Sequence, residues 1–403
     1  MGSVRSTRTE TDAKVAELLR VAKDALGLSL TFLSRFDGPT QHLDVVESSI
    51  PLFRDGQTQP LETSFCQAII DGKLPNVIPN VAKLPEAKRL PAARFPRIRS
   101  FVSVPVRLSD GSLYGTFCAA GFTADNGLNK RDKALMEVLA SAAATIVEPD
   151  VVERNRRHEI QSRLTKVVGN GGPTVVFQPI VSLADGHRVG AEALSRFPAE
   201  WGKAPDVVFA EAASVGAGFD LEILAFRLAA ATIADVTGYV AINFSPSTLL
   251  RPACQELLAD LPAERVLLEL SEHDPVDDYD ALAAAIDPLR ERGMRLAIDD
   301  VGAGFSSLRH IILTTPDVIK LDRSIVAGVA SDRVLETLVR SLVDFAHGAD
   351  ANVVAEGIET FDDAVTLRTA GVDYGQGWLF GRPGTVDQLL DDYPVVPPLP
   401  AHR

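Results

Sequence analysis

The stretch LAIDDVGAGFSSL, residues 296–308, places two adjacent aspartates between an apolar run and a glycine-rich turn. The neighbouring carboxylates of Asp299 and Asp300 repel each other and lose solvation when buried, so a buried pair needs a cation or a hydrogen-bonded loop. Asp and Gly are also ordinary residues of a solvated turn, and this stretch alone favours that simpler interpretation. The rest of the chain decides between the two.

The composition is that of a soluble globular protein of two or three domains. Of the 403 residues, 46% are hydrophobic and 23% are charged, so each domain can bury its own core. No apolar run approaches the roughly 20 residues of a membrane helix, and the N-terminal stretch MGSVRSTRTETDAK has no apolar signal-peptide core. The three cysteines, Cys66, Cys118 and Cys254, form no CxxC pair. We therefore expect a cytoplasmic protein that has no membrane partner.

The net charge of −14 limits the class of ligand. Duplex nucleic acid is not an expected partner, because its binding needs clustered Lys and Arg side chains. A small anionic ligand is compatible with this charge only where metal ions or a few local basic groups offset the acidity.

The first half of the chain has the pattern of an α/β sensor domain. Residues 11–26 have helical spacing of apolar side chains, and residues 129–147 predict a second helix. Strands are predicted at 28–36 and 42–48, and a hairpin is predicted from strands at 100–108 and 113–121 around Asp110 and Gly111.

A charged segment, residues 149–168, is predicted to be a helical linker. Pro149 is expected to interrupt the preceding helix, and the charges that follow suit an exposed helix. Ile160, Leu164 and Val167 fall on one stripe, which could be a dimer seam, although two helical turns are short for a coiled coil. The predicted domains are therefore 1–148, the linker 149–168, and 169–403.

The second half alternates short apolar strands with helical stretches, the pattern of a parallel α/β fold. Eight strands in this region predict a TIM-like (β/α)8 barrel. They lie at 174–180, 188–194, 239–244, 265–270, 294–299, 317–321, 351–356 and 372–377.

Polar residues lie near the C-terminal ends of these strands, where the active sites of such barrels are found. They are Glu192, Asn243, Glu269, Asp299, Asp300, Lys320, Asp322, Glu356 and Gln376. One acid at a strand end is usually a helix cap or a turn residue, but that explanation is weak when it must hold for almost every strand. Oxygen ligands of this kind suit Mg²⁺ or Mn²⁺, and this many carboxylates favour two ions bridged by one aspartate.

Eight segments of the second half, in order, resemble the EAL domain, a bacterial phosphodiesterase family that opens cyclic di-GMP to the linear dinucleotide pGpG. The likeness covers nearly all of residues 165–390. The segments are FQPI (177–180), GAEALSRF (190–197), INFS (242–245), LELSE (268–272), AIDDVGAGFSSL (297–308), IKLDRSIV (319–326), VVAEGIET (353–360) and GQGWLFGRP (375–383).

The resemblance implies a barrel whose first strand is antiparallel to the others, and it assigns roles by position. The first divalent ion would be held by Glu192, Asn243, Glu269 and Asp299, and the second by Asp299 and Asp300. Glu356 would be the general base or a partner of the second ion, and Lys320 would hold the attacking water and a phosphate oxygen. Substrate contacts would be Gln178, Leu194, Arg196, Asp220 and Gln376, and supporting acids would be Glu272, Asp322 and Glu359.

Two residues of the glycine-rich loop depart from the family pattern. Val301 stands in place of the usual phenylalanine and Phe305 in place of the usual tyrosine. Both changes keep an apolar side chain, and no predicted ligand position is lost.

The first domain resembles a GAF sensor domain in its order of elements and in the stretch ETSFCQAIIDGKLPNVIPNV, residues 62–81. Cys66 is expected to be a core residue and His42 a lone histidine on a strand, so the small ligand of this domain is not identified.

The sequence thus predicts a sensor-regulated, metal-dependent phosphodiesterase that acts on cyclic di-GMP and forms a homodimer. The alternative is a receptor that binds cyclic di-GMP without hydrolysing it and signals through a partner.

Overall fold

The computed structural model of the protein describes residues 9–271, 274–302 and 307–391. The chain divides into two compact units that meet in sequence between Arg157 and His158. This point falls within the expected linker, and the domain limits at 148 and 168 stay predictions. Among the described helices, none has the length and hydropathy that a membrane crossing requires.

The first unit is built on a six-stranded antiparallel sheet with the strand order β3-β2-β1-β6-β5-β4. The strands are β1 (Leu30–Asp37), β2 (Thr40–Ser48), β3 (Gln57–Pro60), β4 (Val77–Ile78), β5 (Ser100–Arg107) and β6 (Leu113–Gly121). The helices are α1 (Glu10–Leu26), α2 (Phe65–Ile70), α3 (Pro85–Arg89), α4 (Pro91–Arg94) and α5 (Lys130–Gly169), with 3-10 turns at Leu61–Thr63 and Val81–Lys83.

Both faces of this sheet are covered, and the alternation of strands β5 and β6 explains how. Val102 and Phe117 point into a core shared with α1 and the first part of α5. Phe101 and Cys118, one position away on each strand, point into a second core with α2 and the segment that follows it. Because successive side chains point to opposite faces, these apolar runs fill two cores at once.

Helix α5 runs from Lys130 to Gly169 with Pro149 inside it. The prediction that Pro149 interrupts the helix is therefore wrong. A proline inside a helix costs about 3 kcal/mol, because it removes one hydrogen bond and crowds the preceding turn. Buried side chains on both sides of it, such as Val147 and Ile160, anchor the helix and offset this cost.

The suggestion that Ile160, Leu164 and Val167 form a dimer seam is also wrong. These side chains are buried within the same chain, against Val208 and Leu221 of the second unit. A stripe that is already covered by its own chain has no apolar surface left for a second copy.

The second unit contains a closed barrel with the strand order β10-β11-β12-β13-β14-β7-β8-β9. All eight predicted strands are present. They are β7 (Thr174–Ser182), β8 (Arg188–Arg196), β9 (Tyr239–Asn243), β10 (Val266–Ser271), β11 (Arg295–Val301), β12 (Val318–Leu321), β13 (Asn352–Ala355) and β14 (Tyr374–Gln376).

Strand β7 is antiparallel to both of its neighbours, β8 and β14, and the other strand pairs of the barrel are parallel. The all-parallel interpretation of the strand pattern is therefore wrong for the first strand, and the antiparallel first strand implied by the resemblance is confirmed. Only residues 183–187 join β7 to β8, with the Ser182 N–H donating to His187 O at 2.8 Å. A parallel pair needs a crossover of about a dozen residues, so this connection permits only a hairpin.

Helices cover the outside of the barrel and form the main core with its strands. Their bounds are α6 (Pro205–Ser214), α7 (Gly218–Ala230), α8 (Pro246–Leu249), α9 (Pro252–Ala259), α10 (Tyr279–Arg290), α11 (Ser307–Thr314), α12 (Arg323–Val326), α13 (Arg333–Gly348), α14 (Phe361–Thr369) and α15 (Val386–Asp391). Helix α13 shows the pattern that produces this packing. Val339, Val343 and Ala346 are buried at helical spacing, and charged residues such as Arg340 and Asp344 are exposed.

Candidate active site

A layer of apolar side chains inside the barrel sets the position of the polar site. The layer contains Ile180, Tyr239, Ala241, Leu267, Ala297, Val318 and Val354. Residues two positions apart on a strand point to the same side, so the next inward-facing residue on each parallel strand lies nearer its C-terminal end. Those next residues are Asn243, Glu269, Asp299, Lys320 and Glu356, which follow Ala241, Leu267, Ala297, Val318 and Val354.

The two strands of the β7–β8 hairpin obey the same rule in opposite directions. On antiparallel β7 the site residue Gln178 precedes Ile180, and it pairs in register with Glu192 of β8. Two positions before Glu192 stands Gly190, where an added Cβ would lie 2.6 Å from Tyr239 O and 2.8 Å from its ring. The glycine therefore leaves the space in the layer that the Tyr239 ring fills.

Lys320 is the centre of the site. Its side chain is fully buried, and its Nζ lies 2.7 Å from Glu356 Oε1, 3.0 Å from Glu269 Oε1 and 3.0 Å from Asp299 Oδ2. Glu192 Oε2 is 3.6 Å away. Four carboxylates thus surround one ammonium group, which leaves the cluster with excess negative charge.

Amide side chains hold Glu192 in place. Asn243 Nδ2 donates to Glu192 Oε1 at 2.9 Å, and Gln376 Nε2 donates to Glu192 Oε2 at 2.7 Å. Gln376 also lies 3.2 Å from Gln178 Oε1, and Gln178 donates to Gly381 O. These bonds connect four predicted site residues, on β7, β8, β9 and β14, into one network.

The paired aspartates, Asp299 and Asp300, lie at an irregularity of strand β11. The register of β11 shifts between Ile298 and Val301, and Asp300 has a left-handed backbone with φ of 61°. Strict alternation would turn the Asp300 side chain away from Asp299. The irregularity instead brings both carboxylates toward Glu356, and the Asp300 N–H donates to Asp299 Oδ1 at 2.9 Å.

Two groups of carboxylates in the site can each surround a cation. Glu192, Glu269 and Asp299 form one group, and Asp299, Asp300 and Glu356 form the other, with ligand atoms within 4.8 Å of one another in each. Lys320 Nζ pairs with Glu269 Oε1 at 3.0 Å, but neither Glu269 oxygen accepts a hydrogen bond from the described residues, and a bound cation would add the missing compensation. The donor set is entirely oxygen, so the site fits a hard divalent ion.

The charges shift the pKa values of the buried acids in different directions. Burial and the carboxylates of Glu192, Asp299 and Glu356 raise the pKa of Glu269 well above its usual 4.5, against the opposing effect of Lys320. Burial also raises the pKa of Glu192, but Lys320 and the bonds from Gln376 and Asn243 outweigh it, so the net direction is downward. Two features account for the opposite directions: Glu192 receives two amide donors, whereas Glu269 receives none and faces three carboxylates.

The pKa of Glu356 is also raised. Burial, together with the charges of Asp299 and Glu192, raises its pKa to about 8, although Lys320 opposes the shift. Burial and two like charges likewise raise the pKa of Asp299, again against the effect of Lys320. The pKa of Lys320 itself lies well above 10.5, because burial, which lowers it, is outweighed by the surrounding carboxylates.

Four predicted residues lie outside this network of contacts. Asp322 accepts from the Ser324 N–H and caps helix α12, and Glu359 pairs with Arg323 at 2.9 Å. The Arg196 guanidinium donates to Ser195 O, and Asp220 is exposed on the first turn of helix α7. Their roles, like that of the half-buried Leu194, stay predictions, and Glu272 lies outside the described residues.

Two residues that support the site, Glu222 and Ser271, are not among the residues predicted from the sequence. Glu222 accepts from both the N–H and the hydroxyl of Ser245 at 3.0 Å, which fixes the chain just after Asn243. The Ser271 hydroxyl lies 3.4 Å from Asp300 Oδ2. Ser271 ends strand β10, two residues after Glu269, so the strand-end pattern could have predicted it. Glu222 lies on helix α7, where the strand-end pattern does not apply.

Residues 161–383 match the model of the EAL domain family, over more than half of the chain. The chain belongs to the EAL domain family. Residues 10–148 match the model of the GAF domain, so the first unit is a GAF domain.

Two sequence relatives of this EAL chain are longer proteins. One is the "Probable cyclic di-GMP phosphodiesterase PdeB" of Escherichia coli K12, 33% identical over 233 residues, which are 55% of this chain and 44% of that protein. The other is an uncharacterized protein of Azorhizobium caulinodans, 32% identical over 264 residues, which are 60% of this chain and 36% of that protein. This chain therefore spans less than half the length of either relative.

Solved structures support the fold. The EAL domain protein from Listeria monocytogenes EGD-e matches with a TM-score of 0.52 at 21% identity, over 59% of this chain and 98% of that one. The PaMucR phosphodiesterase in complex with c-di-GMP matches with a TM-score of 0.51 at 24% identity, over 57% of this chain and 99% of that one. Because both identities are below 25%, the structural similarity establishes the TIM-like barrel fold and no property of the site.

Proposed function

We propose that the barrel hydrolyses cyclic di-GMP to linear pGpG with the help of two divalent ions, Mg²⁺ or Mn²⁺. The observation that carries the proposal is Asp299, whose carboxylate belongs to both groups of acids around Lys320. The name of the relative PdeB, at 33% identity, supports cyclic di-GMP as the substrate.

The chain supplies a ligand set for each ion. Glu192, Asn243, Glu269 and Asp299 would hold the first; Asn243 uses its amide nitrogen on Glu192, which leaves its carbonyl oxygen for the ion. Asp299 and Asp300 would hold the second. Two such ions lower the pKa of bound water and stabilise negative charge on the attacking and leaving oxygens of a phosphoryl displacement.

The protein side chains then handle the proton and the phosphate. Glu356 would accept the proton of the attacking water, since its carboxylate lies beside the second group of acids and 2.7 Å from Lys320 Nζ. Lys320 would orient this water and hold a phosphate oxygen. In-line attack on phosphorus forms the new P–O bond and breaks the bond to the 3′ oxygen, which leaves with a proton from solvent. Gln178, Leu194, Arg196, Asp220 and Gln376 would contact the dinucleotide.

Incubation of the full chain with cyclic di-GMP, followed by chromatography, tests this function. We expect pGpG to form with Mg²⁺ or Mn²⁺ and not in excess EDTA, and Ca²⁺ to block the reaction because it coordinates more loosely. Full turnover in EDTA would contradict the metal mechanism. Tight binding of cyclic di-GMP without any product, with either ion, would favour the receptor function instead.

We further propose that the GAF domain regulates this activity in a homodimeric, cytoplasmic protein. A small ligand can shift the activity only if it binds one arrangement of the protein more tightly than another. The glycine-rich sequence after Asp300 begins at Gly302, directly after the paired acids, so a change in the pose of this segment would alter the metal site.

Comparison of the full chain with residues 158–403 tests this regulation. The shorter chain keeps Ile160, Leu164 and Val167, which belong to the core of the second unit. We expect its turnover of cyclic di-GMP to differ from that of the full chain, and light scattering to give a dimer for the full chain. Equal turnover and a monomeric mass for both would contradict the proposal.

A further inference from the structure

We infer that the first unit carries a binding site for a small organic phosphate in a cleft formed by residues 81–99. The cleft has a volume of 460 Å³, and four basic side chains line it: Lys88, Arg89, Arg94 and Arg99. Ligand pockets of proteins commonly measure roughly 300–1,000 Å³.

The charge of this segment is opposite to that of the chain. Residues 83–99 contain six basic side chains and one acid, Glu86, in a protein whose net charge is −14. Glu86 does not line the cleft. A local concentration of positive charge in an acidic protein attracts anions to one place.

In the part of the chain that the structure describes, no acidic side chain lies within 4.0 Å of the four basic side chains of the cleft as an ion pair. Arg99 is held by bonds from Nη1 to Ala93 O at 2.8 Å and Ile98 O at 3.2 Å. Those bonds use one nitrogen of the guanidinium group and leave the others for a ligand.

The rest of the lining indicates an organic ligand and not a bare ion. Val81, Pro85 and Ala93 also line the cleft, and of these the exposed Pro85 offers most apolar surface to a ligand. Three of the four cations are arginines, whose planar guanidinium groups bind phosphate through paired hydrogen bonds. A molecule with an apolar part and at least two negative charges on phosphate fits this combination.

The cleft is separate from the space between the segment and the sheet. That space is filled by Phe32, Phe65 and Phe101, whose rings contact one another with centroids 5.0 Å and 6.4 Å apart. The site also does not depend on the proposed hydrolase activity, because the cleft contains no residue of the barrel.

Titration calorimetry of the full chain in EDTA tests the site, with ATP and inorganic pyrophosphate as probes and citrate as a polycarboxylate of similar charge. EDTA removes divalent ions, so the acidic cluster of the barrel repels these anions and does not bind them. We expect both phosphates to bind, citrate to bind more weakly, and added salt to weaken all binding. Charge reversal at two exposed positions, Arg89→Glu with Arg94→Glu, is expected to weaken phosphate binding by at least about tenfold.

The matched control is Arg54→Glu with Lys130→Glu, which reverses the same charge at exposed positions of the same unit outside the cleft. We expect the control to bind pyrophosphate within about twofold of the parent chain. The milder variant Arg94→Gln, with thermal melting to check the fold, is expected to lose part of the affinity. Absence of phosphate binding, equal binding of citrate, an equal loss in the control, or binding only to RNA or anionic vesicles would each overturn the inference.

Discussion

The two units bury polar side chains in different ways. In the GAF domain, Ser34, Gln41 and Thr116 are fully buried, neutral and bonded to one another, with Gln41 Nε2 2.9 Å from Ser34 Oγ and Thr116 Oγ1 2.9 Å from the same atom. In the barrel, four carboxylates surround Lys320, and neither oxygen of Glu269 accepts a hydrogen bond from the residues that the structure describes.

The difference distinguishes buried polar groups that stabilise the fold from buried polar groups that serve a function. A neutral network whose donors and acceptors are all matched needs nothing from outside the protein. A buried cluster with excess charge is costly unless a ligand completes it, so such clusters are found at functional sites. Substitutions in the barrel test the charged cluster, and a substitution in the GAF domain tests the neutral network.

The largest expected effect is on catalysis at Glu356. Glu356→Gln keeps the shape of the side chain and removes its charge and basicity, so turnover of cyclic di-GMP should fall by about 10²–10⁴-fold while binding persists. Product formation under single-turnover conditions and calorimetric binding together measure the two quantities. The matched control Glu336→Gln changes an exposed acid on helix α13 that pairs with Arg340, and it should leave turnover unchanged. Parent-like turnover in Glu356→Gln would remove this residue from the mechanism.

The next effect is on the stability of the barrel when its central cation is removed. In EDTA, Lys320→Met should lower the free energy of unfolding of the second unit by about 3–5 kcal/mol, because it leaves buried carboxylates uncompensated. Both tryptophans of the chain, Trp201 and Trp378, lie in the second unit, so tryptophan fluorescence in urea reports on that unit.

For this experiment Arg340→Met is the control, since it breaks an exposed ion pair at i,i+4 spacing. Its cost should be at most about 0.5 kcal/mol. A comparable loss of unfolding free energy in both variants would mean that Lys320 contributes no more to stability than an exposed ion pair does.

A smaller effect is expected when divalent ions are added to the parent protein. Mg²⁺ or Mn²⁺ at about one hundred times its dissociation constant should stabilise the second unit by about 2.7 kcal/mol, because the ion binds the folded state alone. Asp299→Asn should abolish most of this gain, since Asp299 belongs to both groups of acids. Asp344→Asn, an exposed acid of helix α13, should retain it. Equal stabilisation of all three proteins would argue against a metal site at Asp299.

The smallest effect is expected in the neutral network. Thr116→Val removes the hydroxyl that bonds Ser34 and should destabilise the first unit by about 1 kcal/mol. Hydrogen exchange of the β1 and β2 amides measures this loss, and the tryptophan signal of the second unit should not change. Thr58→Val, at an exposed position of β3, is the control. A loss as large as that of Lys320→Met would erase the contrast between the two units.

The sequence by itself determined much of the fold and of the candidate site. Strand positions followed from short apolar runs, because a strand covered on both faces must be apolar throughout. Acids and amides at successive strand ends predicted one acidic site, because parallel strands bring those ends together. Even the antiparallel first strand had a local signal, since residues 183–187 are too few for a crossover.

Other features depended on packing between distant segments. The path of helix α5 through Pro149 rests on apolar partners on both sides of it, which local propensity does not reveal. Glu222 reaches Ser245 because helix α7 packs against the segment after strand β9, where the Phe226 and Phe244 rings lie 5.2 Å apart. Asp300 joins the second group of acids through an irregular register and a left-handed backbone, where alternation along the strand alone would turn it away. The sequence could place the charges along the chain, but their balance around Lys320 depends on distances of a few ångströms that only the closed barrel sets.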